Sequence, residues 1–185
     1  ITAAKFVYKY NREVFRDTVV SSVYARKTGK KVDGNAAELF GKDLASHIIA
    51  GGTDISCHET TSKAEAIEKL RYGVYMLMRE GSTQRNMPEC VKAITEEGMD
   101  SRRAILATDD MLAEDISKTG HMNDIIRRTI KQGVNPIEAI QMATINAASW
   151  QGLDELGVLA PGKLAALAVI SGKLEDMEVS EVCIR

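Results

Sequence analysis

Four short segments of this 185-residue chain are each followed at once by side chains able to do hydrolytic chemistry. Residues 30–34 lead to Asn35, and residues 53–57 lead to His58 and Glu59. Residues 74–78 lead to Arg79, Glu80, Gly81 and Ser82, and residues 103–108 lead to Asp109 and Asp110. His58 and the Asp109–Asp110 pair offer imidazole and carboxylate, a donor set for a divalent metal. A carboxylate beside a metal-activated water accepts the proton that metal-assisted hydrolysis must remove. Each group also has an ordinary reading. A lone histidine at a strand end can be a simple hydrogen-bonding group, Asp109–Asp110 can cap the next segment, and Arg79–Glu80 can be a local ion pair. His47 falls inside a helix and His121 follows Gly120 in a loop, neither at metal-ligand spacing from a partner.

These positions matter because of the elements around them. Helical patterns run over 11–29, 42–50, 62–72, 88–97, 123–132 and 136–150, with apolar residues at spacings of three and four. Thr61–Ser62 followed by Glu65 is a helix-start signal, and Pro88 and Pro136 suit a first turn. Between them, 30–34, 53–57, 74–78 and 103–108 read as strands. The run Val74 to Met78 is continuously apolar, as a strand buried on both faces should be. Four strand–helix units in series predict an α/β fold with a parallel sheet, right-handed crossovers and functional groups at the carboxyl ends of the strands. The strands should be adjacent in chain order. The tail differs: 157–162 and 165–170 read as short strands around a Pro-Gly turn, and 179–184 alternates again. The expected division is therefore 1–155 and a small β appendage, 156–185.

Composition narrows the class of function. Lys plus Arg is 24 against 26 Asp plus Glu, a net charge of −2, without the basic excess of a nucleic-acid-binding domain. At 44% hydrophobic and 27% charged residues the chain can bury a core. Cys57, Cys90 and Cys183 make an odd count without framework spacing, which favours a reducing, cytoplasmic setting. No apolar run is long enough to span a membrane, and residues 1–10 lack the features of a signal peptide. A complete (β/α)8 barrel takes about 250 residues, more than are present.

The residues also resemble a known family. The run Ile105-Leu106-Ala107-Thr108-Asp109-Asp110, then Glu114-Asp115, Gly120-His121-Met122, Arg127 to Ile130, Gly133 to Ile140 and Met142 to Ala148, is similar to bacterial adenine deaminases of the amidohydrolase superfamily. So are Gly41 to Leu44, His58-Glu59, Glu68 to Gly73, Arg79-Glu80-Gly81-Ser82 with Arg85-Asn86, and Leu156 to Lys163. The resemblance implies a metal-dependent (β/α)8 TIM barrel that hydrolyses a cyclic amidine C–N bond, converting adenine to hypoxanthine and ammonia in purine salvage. The metal would be manganese, iron or zinc. This chain would supply strands five to eight and the start of the sheet domain that follows. His58 matches a metal-binding histidine after strand six, and Asp109 the strand-eight aspartate that binds metal and shuttles a proton. Asp110 would contact the purine, and Glu59, Arg79, Glu80 and Ser82 would line the pocket, Glu59 with a catalytic part.

The departures sit at ligand positions. The family's His-x-His pair is absent, Asn35 stands where the strand-five metal-binding histidine is expected, and Cys57 replaces the aspartate before His58. Ala165-Ala166 replaces a common Ala-Asp, and residues 1–10 do not resemble the strand-four segment. These changes imply a fragment that lacks an N-terminal half or closes as a homo-oligomer. The alternative is a catalytically inactive half-barrel kept for binding or assembly, with no metal of its own. Two open sheet edges would need cover. The 185-residue chain alone is expected to show no appreciable adenine deamination.

Overall fold

A computed structural model describes residues 12–52 and 55–184. The segment 1–10, on which the signal-peptide and strand-four readings fall, lies outside the described residues, as do Thr53 and Asp54.

Helix α1 (Arg12–Lys27) leads into β1 (Asp33–Gly34). Then follow α2 (Gly41–Gly51), β2 (Ser56–Cys57), α3 (Lys63–Arg71) and β3 (Tyr75–Arg79). Short helices α4 (Met87–Cys90) and α5 (Lys92–Thr95) precede β4 (Ala104–Ala107). The four strands form one sheet in the order β1-β2-β3-β4, every pair parallel, as the strand–helix alternation predicts. Next come α6 (Ala113–Thr119), α7 (Met122–Lys131), α8 (Pro136–Ala143) and α9 (Ile145–Gln151). The tail is a hairpin of β5 (Ala166–Ser171) and β6 (Glu178–Ile184), paired antiparallel with a register shift between Val169 and Ile170.

Several elements differ from the sequence expectation. The helix expected over 88–97 is interrupted at Val91. The one expected over 136–150 breaks at Thr144, whose hydroxyl donates to the Ile140 carbonyl (2.7 Å), a back-bond that loosens a helix. Just beyond the break, Asn146 donates to the carbonyls of Ser101 and Ala104 (2.8 and 2.9 Å), which ties α9 to the start of β4. Helix α6 has no counterpart in the sequence reading. Residues 157–162 form turns, not a strand. Gly157 sits at φ +84° where a Cβ would stand 2.8 Å from the Ile145 Cα, so this segment is pressed onto α9.

Strand β3 is not buried on both faces. Met76 and Met78 are fully buried, whereas Tyr75 and Leu77 are half-buried. The pleat sends Met76 and Met78 to one face, where they pack with Leu106, Ile125 and Met142 in the main core. Burying each such side chain is worth about 1.5–3 kcal/mol. The opposite face carries Tyr75, Leu77 and Arg79; Tyr75 lies against Trp150 (ring centroids 6.5 Å) and beneath the Arg103 guanidinium (4.5 Å). The hairpin joins the body through Met177, buried in that same core, and through Arg127, which donates to the Asp176 carbonyl (2.8 Å).

His47, on α2, packs behind Gly34, where a Cβ would meet its Nε2 at 3.1 Å. Burial, assisted by the Lys69 charge, pushes its pKa down to about 4. The unfolded chain, with a histidine near 6.5, takes up this proton first. The stability His47 contributes is therefore complete above about pH 6.5 and is lost as pH falls towards 4. At about 1.36 kcal/mol per pH unit, unfolding should cost roughly 2 kcal/mol less at pH 5 than at pH 7 through this group. Urea unfolding at the two pH values, compared with a His47→Gln variant in which the difference shrinks, measures it.

Candidate active site

The carboxyl ends of β1 to β4 carry one connected polar chain. His58 Nδ1 lies 2.9 Å from Asp33 Oδ2 on β1. Asp33 also accepts from the Ser56 hydroxyl. A carboxylate on Nδ1 holds the proton there and leaves Nε2 to face the site, as metal-binding imidazoles are held. His58 Nε2 is 3.6 Å from Glu59 Oε1. Glu59 in turn takes a forked bond from Arg79, Nη1 to Oε1 at 3.2 Å and Nη2 to Oε2 at 2.9 Å. Arg79 Nη1 also donates to Asp109 Oδ2 at 2.9 Å, and its Nε to Asn86 Oδ1 at 3.2 Å. The guanidinium is almost wholly buried between two carboxylates that water still reaches. Planar forked donation of this kind fixes orientation as well as charge.

Asp109, two residues beyond β4, sits in the left-handed region, φ +53°. A non-glycine residue there costs of order 1–3 kcal/mol, which accumulates at functional sites. Asp110 turns to the loop after β3, accepting from the Thr83 amide (2.9 Å), the Gln84 amide (3.4 Å) and the Thr83 hydroxyl. The Thr83 hydroxyl bond holds its carboxyl below the usual range. Gly81 makes this approach possible, because a Cβ there would stand 2.5 Å from the Thr108 carbonyl oxygen and would strike the Asp110 carboxylate. Ser82 accepts from the Leu112 amide (2.8 Å) and donates to Asp115.

The structure thus joins His58, Glu59, Arg79 and Asp109, and adds Asp33 and Asn86, to which the sequence reading gave no role. Asp33 had a signal, since it lies two residues before Asn35 and shares its strand face. Arg79 and Glu80 do not pair with each other. Consecutive strand residues point to opposite faces, so Glu80 meets Arg128 of α7 (3.0 Å), and Arg128 also holds Asp124 (2.7 Å). Burial raises the Glu80 carboxyl, against the pull of Arg128. Glu80 therefore supports the sheet from the helix side. Cys57 and Cys90 are buried thiols. Burial pushes Cys90 up to about 12, and it donates to the Thr60 carbonyl (3.2 Å).

An amidohydrolase family model matches residues 25–185. The chain belongs to the amidohydrolase family. Adenine deaminase 1 of Carboxydothermus hydrogenoformans is 62% identical over 181 residues, covering 98% of this chain and 30% of the relative. The adenine deaminase of Ligilactobacillus salivarius is 40% identical over 160 residues, 86% of this chain and 27% of the relative. That of Moorella thermoacetica is 43% identical over 139 residues, 74% and 23%. The chain thus spans less than a third of the length of these curated relatives. Among solved structures, the crystal structure of enamidase, described as a new member of the amidohydrolase superfamily, superposes with a TM-score of 0.59. It shares 20% identity, and the match covers 91% of this chain and 50% of that one. At that identity the likeness concerns the fold. The four parallel strand–helix units of this amidohydrolase chain are part of a (β/α)8 barrel, and the candidate site residues stand at the strand ends where such barrels carry their functional groups.

Proposed function

We propose that this chain supplies strands five to eight, and part of the active site, of a metal-dependent adenine deaminase that hydrolyses adenine to hypoxanthine and ammonia. The observation that carries the reading is the 62% identity to a curated adenine deaminase across 98% of the chain. The connected chain of Asp33, His58, Glu59, Arg79 and Asp109 supports it.

The donors present fit part of a divalent-metal site. His58, oriented from behind by Asp33, would bind through Nε2, and Asp109 through its carboxylate. Among the described residues no group of three or more His, Cys, Asp or Glu side chains could hold a metal ion. Asn35 contributes an amide, a poor transition-metal ligand. The remaining ligands are then supplied by further chain of the same protein or by a second copy. A bound divalent ion makes water nucleophilic at neutral pH. The chain's own residues do the rest. Asp109 takes the proton from the attacking water and passes it to the leaving amine. Arg79 holds Asp109 and Glu59 at fixed separation, and Glu59 serves as a second proton acceptor beside His58. Asp110 and Ser82 shape the loop 81–84 against which the purine rests, and Glu80 braces it through Arg128. No described helix is long and apolar enough to cross a membrane. The free thiols support a reducing, cytoplasmic setting.

Asn35 and the incomplete donor set favour one competing reading, a catalytically silent half-barrel with a binding or assembly role. One experiment separates the two. The full-length protein carrying this chain should release ammonia from adenine, lose that activity on chelation, and regain it with added manganese, iron or zinc. No release under any metal would reject the deaminase reading, and metal-independent release would reject its metal dependence.

A further inference from the structure

The turn that carries His58 and Glu59 is gripped from below. Helix α3 sends two buried side chains beneath it, Glu65 and Lys69, the latter with 0% exposure. Lys69 Nζ reaches Glu65 Oε2 at 3.0 Å, Thr60 Oγ1 at 3.0 Å and Cys57 Sγ at 3.5 Å. The ammonium therefore touches the residue before His58 and the residue after Glu59. Glu65 Oε2 also accepts the Glu38 amide (3.0 Å), and its Oε1 takes the hydroxyls of Thr61 (3.0 Å) and Ser62 (3.3 Å). Cys57 Sγ accepts the Ala36 amide (3.3 Å). One ion pair thus ties the loop after β1, which bears Asn35, to the turn after β2. Burial works to raise the Glu65 carboxyl, but the Lys69 charge and its bond outweigh it and hold the group below its usual range.

A fully desolvated ion pair is poor value for stability alone, since apolar side chains of similar volume often serve as well or better. What it does supply is fixed geometry at two loops at once. We propose that Lys69 and Glu65 are positioning residues, holding the turn 57–60 so that His58 keeps its bond to Asp33 and Glu59 its fork from Arg79. The catalytic part of this inference rests on the deaminase reading above.

The test uses the full-length protein with Lys69→Met and Glu65→Gln combined, so that no buried charge is left without its counter-charge. Loss of support behind a metal-binding histidine costs about 10–100-fold in activity or metal affinity. The expected result is a fall of that size in kcat for adenine, with KM changed far less. In selectively 15N-histidine-labelled, metal-free protein, the His58 Nδ1–H resonance should shift and broaden. Lys63→Met, which removes an exposed ion pair on the same helix, should change neither. Should the double variant not fold, Thr60→Val removes the hydroxyl that Lys69 grips and should give the same two changes in smaller measure. A folded variant with lowered melting temperature but wild-type kcat and an unchanged His58 resonance would overturn the proposal. Wild-type protein without deaminase activity would overturn the adenine reading, and the His58 resonance would then decide the positioning role by itself.

Discussion

Asp109→Asn in the full-length protein is expected to lower kcat for adenine deamination by about 10²–10⁴-fold, the usual worth of a positioned proton-transfer group. The substitution is a clean one. Asparagine tolerates the left-handed backbone as well as aspartate does, so φ +53° at this position is preserved. Its amide oxygen can still accept from Arg79, which keeps its fork on Glu59. What disappears is the negative charge and the basic oxygen. Stability should therefore change little while turnover and bound divalent metal both fall. Steady-state ammonia release, with metal content measured on the same sample, reads both. Wild-type turnover in this variant would remove Asp109 from the mechanism.

Arg79→Met should damage both stability and turnover. Breaking a fully buried pair costs about 3–5 kcal/mol. Here Glu59 and Asp109 remain 30% and 37% exposed, so water recovers part of the loss. About 1.5–3 kcal/mol, the range for hydrogen bonds to charged groups, is the expected destabilisation. The two carboxylates then repel without the cation that separates them, and turnover should fall with them. Arg79→Lys should rescue little, because one ammonium cannot supply a planar fork to Glu59 while also reaching Asp109 and Asn86. Urea unfolding and ammonia release on both variants check this; a lysine that restores both quantities would show that charge alone matters there.

The parallel order of the strands was legible because the units repeat. Each strand-like segment ends in a polar cluster and each helix carries an apolar stripe, and that pattern decides the fold class without any fine detail. Helix α6 was not legible. Leu112 and Ile116 near it are exposed, so it has no apolar stripe to betray it, and its support is local, as in the Glu114–Lys118 pair. The break at Thr144 was hidden for a different reason. It depends on Asn146 reaching carbonyls some 42 and 45 residues away in sequence. The two-sided burial expected of β3 failed because Tyr75 and Leu77, opposite Met76 and Met78, stay half-buried, Tyr75 being covered by Trp150 and Arg103 from the edge of that face. At the site, residue types at strand ends pointed to His58, Glu59, Arg79 and Asp109. Their pairing was not readable, since Arg79 chooses Glu59 and Asp109 over its own neighbour Glu80 only through the strand pleat. Lys69 was invisible as a site-supporting residue, because a lysine on an amphipathic helix normally reads as solvated.

On the proposed function, this chain holds part, and only part, of a metal-dependent hydrolytic site. The most direct measurement is made on the isolated 185-residue chain: its bound metal after purification, together with ammonia release from adenine under added manganese, iron or zinc. With His58 and Asp109 as the metal donors it can offer, the chain should hold metal weakly and show no turnover, while the full-length protein shows both. Stoichiometric metal in the isolated chain, with turnover that vanishes in Asp109→Asn, would contradict the account and place a complete site within these residues or between two copies of them.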